Sequence, residues 1–375
     1  MAGIYIHIPY CRQKCHYCNF YSVASRSTLP ALIDAIGREA ALQRSYLSGQ
    51  TIDTIYFGGG TPSLLNESQL GYLLDAVASG FNLSGNAEIT LEANPDDIVP
   101  ELLRYWKNAG INRLSIGVQS FRDEDLLYLN RVHNAERALR CLTDARAAGF
   151  DNLSLDLIFG IPGLDDESWL SNIAIAVGMQ IPHISAYALT IEPKTALEVM
   201  IRKGKAAAVD EQQTARQFEL LMDELGTSGY QHYEISNYCL PGKVALHNTA
   251  YWMGNHYLGL GPSAHSYNGI SRQWNVSSVE SYLNGINQQK PGFEVEFLDA
   301  SQQYNEYIMT GLRTIWGCSL NEIEHRFGTA RAETFVKNAG RWIEQGCIIA
   351  EKGKYTLTRK GKLLADGIAA DLFVT

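Results

Sequence analysis

The sequence predicts an α/β fold: six βα units curl into a partial (β/α)6 barrel of TIM-like type, followed by a C-terminal helical, winged-helix domain. Three observations carry this. Short β-branched and aromatic runs at residues 4–8, 51–57, 87–91, 112–118, 152–158 and 183–189 read as strands. Amphipathic stretches at 29–46, 67–78, 97–109, 134–148 and 167–179 alternate with them as helices. A length of 375 residues exceeds what one core usually holds, so a second body is expected. The repeated alternation makes parallel strands joined by right-handed crossovers, and six units give an open three-quarter barrel.

Beyond the sixth strand a helix is expected at 211–225. Residues 230–274 are rich in aromatics, Gly, Asn and His without clean periodicity, and read as functional loop. From about 297 the pattern turns helical, and runs at 347–350 and 355–358 flank a turn at Gly353 as a hairpin. The expected division is a barrel at 1–230, an aromatic and glycine-rich segment at 231–296 and a C-terminal domain at 297–375. Winged helices often bind DNA, but residues 297–375 hold ten Lys/Arg against nine Asp/Glu, a net of +1, which favours packing or lid duty.

The whole chain carries 31 basic against 40 acidic residues, a formal charge of −9, which argues against nucleic acid as a partner. No apolar run is long enough to span a bilayer, and Met1 leads into the first strand without a signal-peptide pattern. A cytoplasmic location is expected, with peripheral membrane contact left open.

Three of the seven cysteines crowd into Cys11-Arg12-Gln13-Lys14-Cys15-His16-Tyr17-Cys18, directly after the first strand. In a chain of cytosolic character this points to metal and not to disulfides. Three thiolates suit an iron–sulfur cluster, and an electron-transfer cluster would want a fourth cysteine, so one iron stays open. A zinc site using Cys15, Cys18 and His16 is the alternative that spacing permits.

Phe57-Gly58-Gly59-Gly60-Thr61-Pro62 follows the second strand, where glycines let backbone approach a ligand. A tight strand-to-helix turn is the plainer reading. Further strand ends supply Glu92, Gln119, Arg131 and Asp156 to one possible pocket. A carboxylate such as Asp156 inside an apolar strand is costly unless paired or ligand-bound, and an ion pair of Arg131 with Asp156 or Glu92 is the structural alternative.

These strings, with Tyr5-Ile6-His7-Ile8-Pro9-Tyr10-Cys11, Leu91-Glu92-Ala93-Asn94-Pro95, Ser115-Ile116-Gly117-Val118-Gln119-Ser120 and Asp156-Leu157-Ile158-Phe159-Gly160, occur in an order that resembles the HemN/HemW group of radical S-adenosylmethionine (SAM) proteins over nearly the whole chain. The resemblance implies a radical SAM barrel with a 4Fe-4S cluster on Cys11, Cys15 and Cys18. It further implies that Tyr5, Tyr17, Gly59, Gly60, Thr61, Glu92, Gln119, Arg131, Asp156 and Ala188 line the SAM site. For Tyr5 and Tyr17, aromatic packing around the cluster loop is the plainer role.

The group contains coproporphyrinogen III dehydrogenases, which use a 5′-deoxyadenosyl radical, and haem-binding proteins that pass haem to an acceptor. Three features favour the second branch. The dehydrogenases resemble C-x3-C-x2-C-x-C, whereas Phe20 stands at the last position here. They carry an N-terminal extension, whereas the first strand here is expected from residue 4. His247-Asn248-Thr249-Ala250-Tyr251-Trp252 matches the H-N-x-x-Y-W pattern of the haem-binding branch. The expectation is a haem chaperone with His247, Tyr251 and Trp252 at haem, and with an unidentified acceptor, a respiratory haem protein among the candidates. A neutral imidazole can ligate haem iron, while a hydrogen-bonded structural histidine is the plain alternative. His256 and His265 compete for a pocket role.

Overall fold

Among residues 2–374, which the computed structural model describes, twelve strands form one open sheet. Its centre is β1 (Ala2–Ile8), β2 (Ile52–Gly59), β3 (Leu83–Ala93), β4 (Arg113–Gln119), β5 (Leu153–Phe159) and β6 (His183–Ala188), adjacent in chain order and parallel throughout. β1, β4 and β5 are almost wholly buried, and their sequences read as near-continuous apolar runs, as strands covered on both faces do. The covering helices begin where local chemistry starts them. Asn66 and Gln69 form a capping box for Glu67–Gly80, and Asn134 and Asp165 cap Ala135–Ala147 and Asp166–Gly178.

The stretch at 230–274 departs from its expected loop character. β7 (Gln231–Glu234) and β8 (Asn237–Cys239) form an antiparallel pair that extends the sheet beyond β6. On the other edge β9 (His256–Leu260) pairs parallel with β1. β10 (His265–Tyr267), β11 (Ser271–Asn275) and β12 (Phe293–Phe297) follow antiparallel. The helix Leu246–Trp252 lies between these groups and packs on β1 and β2.

Two added edges leave the sheet open, so the six parallel strands form a barrel wall that does not close on itself. Glu39, buried in the helix Leu29–Leu42, holds the β9–β11 extension in place. Its carboxylate accepts from Gly261 N at 2.8 Å, Asn275 Nδ2 at 2.7 Å and the Tyr282 hydroxyl at 2.5 Å.

The C-terminal part has its own core of Tyr304, Ile308, Leu312, Phe335, Ile368 and Leu372. Three helices, Ala300–Leu312, Leu320–Phe327 and Thr329–Glu344, accompany a small sheet of β13 (Cys318–Ser319), which follows the first of them, with β14 (Ile348–Glu351) and β15 (Lys354–Leu357), which follow the third. Lys352 and Gly353 both take positive φ, 51° and 78°, as a two-residue type I′ hairpin requires. Arg313 pairs with Glu234 of β7 at 3.0 Å and Arg359 with Asp223, which fastens this body to the barrel. Among the described residues no helix is long and apolar enough to cross a membrane.

Candidate functional site

The strands β1–β6 end on a cavity of about 460 Å³. Cys11, Cys15, Cys18, Tyr17, Gly59, Gly60, Thr61, Glu92, Gln119, Arg131, Asp156 and Ala188 all line it, so the residues expected at the cluster and SAM converge there from segments far apart in sequence. Tyr5 does not; its ring faces a neighbouring cavity.

The cysteine loop is pinned from the 128–131 segment. His16 N donates to Leu129 O at 3.2 Å, and Asn130 Nδ2 donates to Lys14 O at 2.9 Å. Arg131 reaches inward to donate to Cys15 Sγ at 3.3 Å and to Asn94 Oδ1 and Gly117 O, each at 2.7 Å. Thr61 Oγ1 stands 3.6 Å from Cys11 Sγ and accepts from Asn94 Nδ2 at 3.2 Å. Burial pushes the Cys11 and Cys18 thiols up in pKa, while the Thr61 hydroxyl opposes this at Cys11.

The donor set fits an iron–sulfur cluster: three free thiols share one cavity, with a hydroxyl and a guanidinium placed to hydrogen-bond sulfur. Among the described residues no three His, Cys, Asp or Glu side chains gather around a point as they would for a single ion.

Glu92 and Asp156 stand deeper. The Tyr56 hydroxyl donates to Glu92 at 2.7 Å and Gly59 N at 3.2 Å. Burial pushes Glu92 up to about 7, against the lowering effect of these bonds. Burial likewise pushes Asp156 up to about 6, against a hydrogen bond from Ser185. Arg131 directs Nη1 to Cys15 and Nη2 to Asn94 and Gly117, and the ion pair weighed from sequence, with Asp156 or Glu92, is not found among the described residues. Arg113 supplies the cation instead; it is buried, has no hydrogen-bond partner among the described residues, and its charge favours ionisation of both carboxylates.

The glycine triplet is dictated by close approach. A Cβ on Gly59, where φ is 110°, would sit 2.6 Å from the His7 ring, and one on Gly60 2.7 Å from Tyr10 O. Gln119 takes φ 71° where the β4–β5 register slips, a costly conformation for a side-chain residue at a strand end facing the cavity.

A second cavity of about 780 Å³ lies between β9–β11 and the C-terminal helix Ala300–Leu312. Tyr251, Trp252, Tyr257, Tyr267 and Tyr307 give it apolar ring surfaces, and Arg272 and Arg326, paired with Glu306 and Glu322, give it charge of both signs. Phe20, 65% exposed, lines both cavities. Trp252 Nε1 is buried without a hydrogen-bond partner among the described residues.

His247 stands behind this wall. Its helix is capped by Glu88 of β3, whose Oε1 accepts from Leu246 N at 3.0 Å and His247 N at 3.3 Å. The ring is 2% exposed, stacks on Tyr56 at 5.0 Å, and has both nitrogens engaged: Nδ1 with Thr54 Oγ1 and Nε2 with the Tyr251 hydroxyl, each at 2.8 Å. Burial lowers its pKa to about 3. The structure thus brings Tyr251 and Trp252 to the cavity, while ligation of iron by His247 would first have to break one of these bonds.

Comparison with known proteins accords with this geometry. A family model of the Radical SAM superfamily matches residues 5–173, and one of the HemN C-terminal domain matches residues 298–364. A Mycobacterium tuberculosis protein named heme chaperone HemW is 37% identical over 99% of this chain and 94% of its own length. Its Bacillus subtilis namesake is 34% identical over 98% of both chains. The chain belongs to the HemW family.

Its fold is that of a solved HemW-related structure, the coproporphyrinogen III oxidase HemN from Escherichia coli. The TM-score is 0.86 at 23% identity, over 100% of this chain and 90% of that one. Within this HemW family member, sequence reasoning missed Glu88, Arg113, Tyr56 and Ser185. A polar residue inside an otherwise apolar strand is the signal that marks Glu88 and Ser185, as it did for Asp156, whereas Arg113 opens its strand and Tyr56 reads as apolar.

Proposed function

We propose that the chain is a haem chaperone that binds haem and passes it to an acceptor haem protein. It carries a 4Fe-4S cluster on Cys11, Cys15 and Cys18, with SAM completing the open iron in the 460 Å³ cavity. Family membership supports this reading, as does one structural observation: a large aromatic cavity with two arginines adjoins the cysteine cavity, and the two meet at Phe20. Cavities of this size and lining suit drug-sized and macrocyclic ligands.

In this reading Tyr17, Gly59, Gly60, Thr61, Gln119, Arg131 and Ala188 shape the SAM cavity. Ionised Glu92 and Asp156 attract the cationic ends of SAM. Tyr5 backs Glu92 from the neighbouring cavity. Tyr251 and Trp252 offer ring surface to haem, and His247 fixes the orientation of Tyr251. A bound cluster with SAM would supply a means of sulfonium reduction, with Cys11, Cys15 and Cys18 holding the cluster and Thr61 and Arg131 hydrogen-bonding its thiolates. The divisions 1–230, 231–296 and 297–375 and a cytoplasmic location belong to the same proposal, the first supported by the separate C-terminal core.

Anaerobic reconstitution followed by haem titration tests the proposal, with a parallel incubation in SAM, reductant and coproporphyrinogen III. Stoichiometric haem uptake without protoporphyrinogen formation is the expected outcome. Porphyrinogen turnover would establish the dehydrogenase instead.

A further inference from the structure

Two histidines line the aromatic cavity, and they differ in what their ring nitrogens do. His7 has Nδ1 bonded to the Tyr5 hydroxyl at 3.0 Å and Nε2 against Tyr21 O at 3.4 Å. His265 carries no hydrogen bond on either ring nitrogen among the described residues; its ring is held by stacking on Trp274, 5.9 Å between centroids and 25° between planes. It opens β10 two residues after Ser263, whose φ of 66° marks a bend in the chain.

His265 is exposed, and partial burial and the nearby Arg272 both lower its pKa, which favours the neutral imidazole. That is the state in which histidine binds metal. Arg272 pairs with Glu306 at 3.0 Å and lies over the Tyr267 ring. Arg326 lies over Tyr307 and 3.8 Å from Glu322, and both guanidinium charges are felt at the Tyr267 hydroxyl against that of Glu306, so a propionate would share each arginine with a carboxylate of the cavity wall. A flat macrocycle with two carboxylates needs ring surface, two cations and an unengaged ligand for its metal.

We infer that His265, and not His247, is the side chain that binds the haem iron, with Arg272 and Arg326 taking the two propionates. The inference rests on the haem-binding reading and names the ligand within it. His247 acts one layer behind, through its bond to Tyr251, and holds the wall against which the macrocycle lies.

The full-length protein is titrated with haemin while the Soret band is followed, for wild type, His265→Ala, His265→Met and His247→Gln. Circular dichroism serves as the folding control. His265→Ala should bind about tenfold or more weakly with a displaced Soret band, and added imidazole should restore the wild-type band. His265→Met should displace the band with the fold intact, by exchanging nitrogen for sulfur. His247→Gln should keep the wild-type band position with a smaller loss of affinity. A wild-type band and affinity in both His265 variants, or a displaced band rescued by imidazole in His247→Gln alone, would overturn the inference and leave haem binding standing. Failure of the wild type to take up haem would overturn the haem reading and the inference with it.

Discussion

Glu92 shows how burial and charge set a side chain's behaviour in this site. Its pKa of about 7 lies above the ordinary carboxylate value, so its charged form is disfavoured in the folded protein. Below pH 4.5 the group is neutral in both states and costs nothing. As pH rises from 4.5 to 7 the unfolded chain ionises first, and ligand-free stability falls by about 3 kcal/mol in total. Urea denaturation of Glu92→Gln should therefore show a more stable ligand-free protein than wild type at pH 8 and no difference below pH 4. Equilibrium dialysis at pH 8 should show SAM, a cation, held about tenfold more weakly by the same variant. At this scale the cysteines, the glycine triplet and the strand-end polar residues were legible, because each lies in a short contiguous string. The partners were not: Thr54 meets His247 and Arg131 meets Cys15 across more than a hundred residues of chain.

Among the elements, the seven-residue helix Leu246–Trp252 depends on its surroundings. Too short to persist alone, it has no side-chain cap of its own and borrows the Glu88 carboxylate from β3. Removing that acceptor leaves two N–H groups unpaired beside the buried His247 ring. Glu88→Ala should cost about 2 kcal/mol in chemical denaturation and broaden the haem Soret band, with SAM binding retained. The six barrel strands were readable because their apolar runs are long. Strands β7 to β11 span three to five residues each and mix aromatics with Gly, so no period has room to show. Glu39 escaped for another reason: a glutamate in an amphipathic helix reads as solvated, and here it is the buried clasp for three separate segments.

Across the whole molecule, the aromatic cavity exists only while the C-terminal body stays against the sheet. Arg313 is one fastening, pairing with Glu234, itself 2% exposed. Arg313→Ala leaves that carboxylate without its cation, a loss of about 3 kcal/mol at a buried site. Hydrogen exchange should then accelerate in residues 300–374 and haem affinity should fall, while SAM affinity stays at the wild-type level. The C-terminal helices and hairpin were legible from periodicity and from Gly353; their seat against β7 was not, since it rests on ion pairs between distant segments.

Phe20 ties the two halves of the site together thermodynamically. One ring forms wall for both cavities, so a ligand that fixes its rotamer from one side alters the shape offered on the other. Linkage then demands reciprocity: whatever factor SAM imposes on haem affinity, haem imposes on SAM. A protein that must let haem go has in this shared ring a means to make release depend on what the cluster side holds.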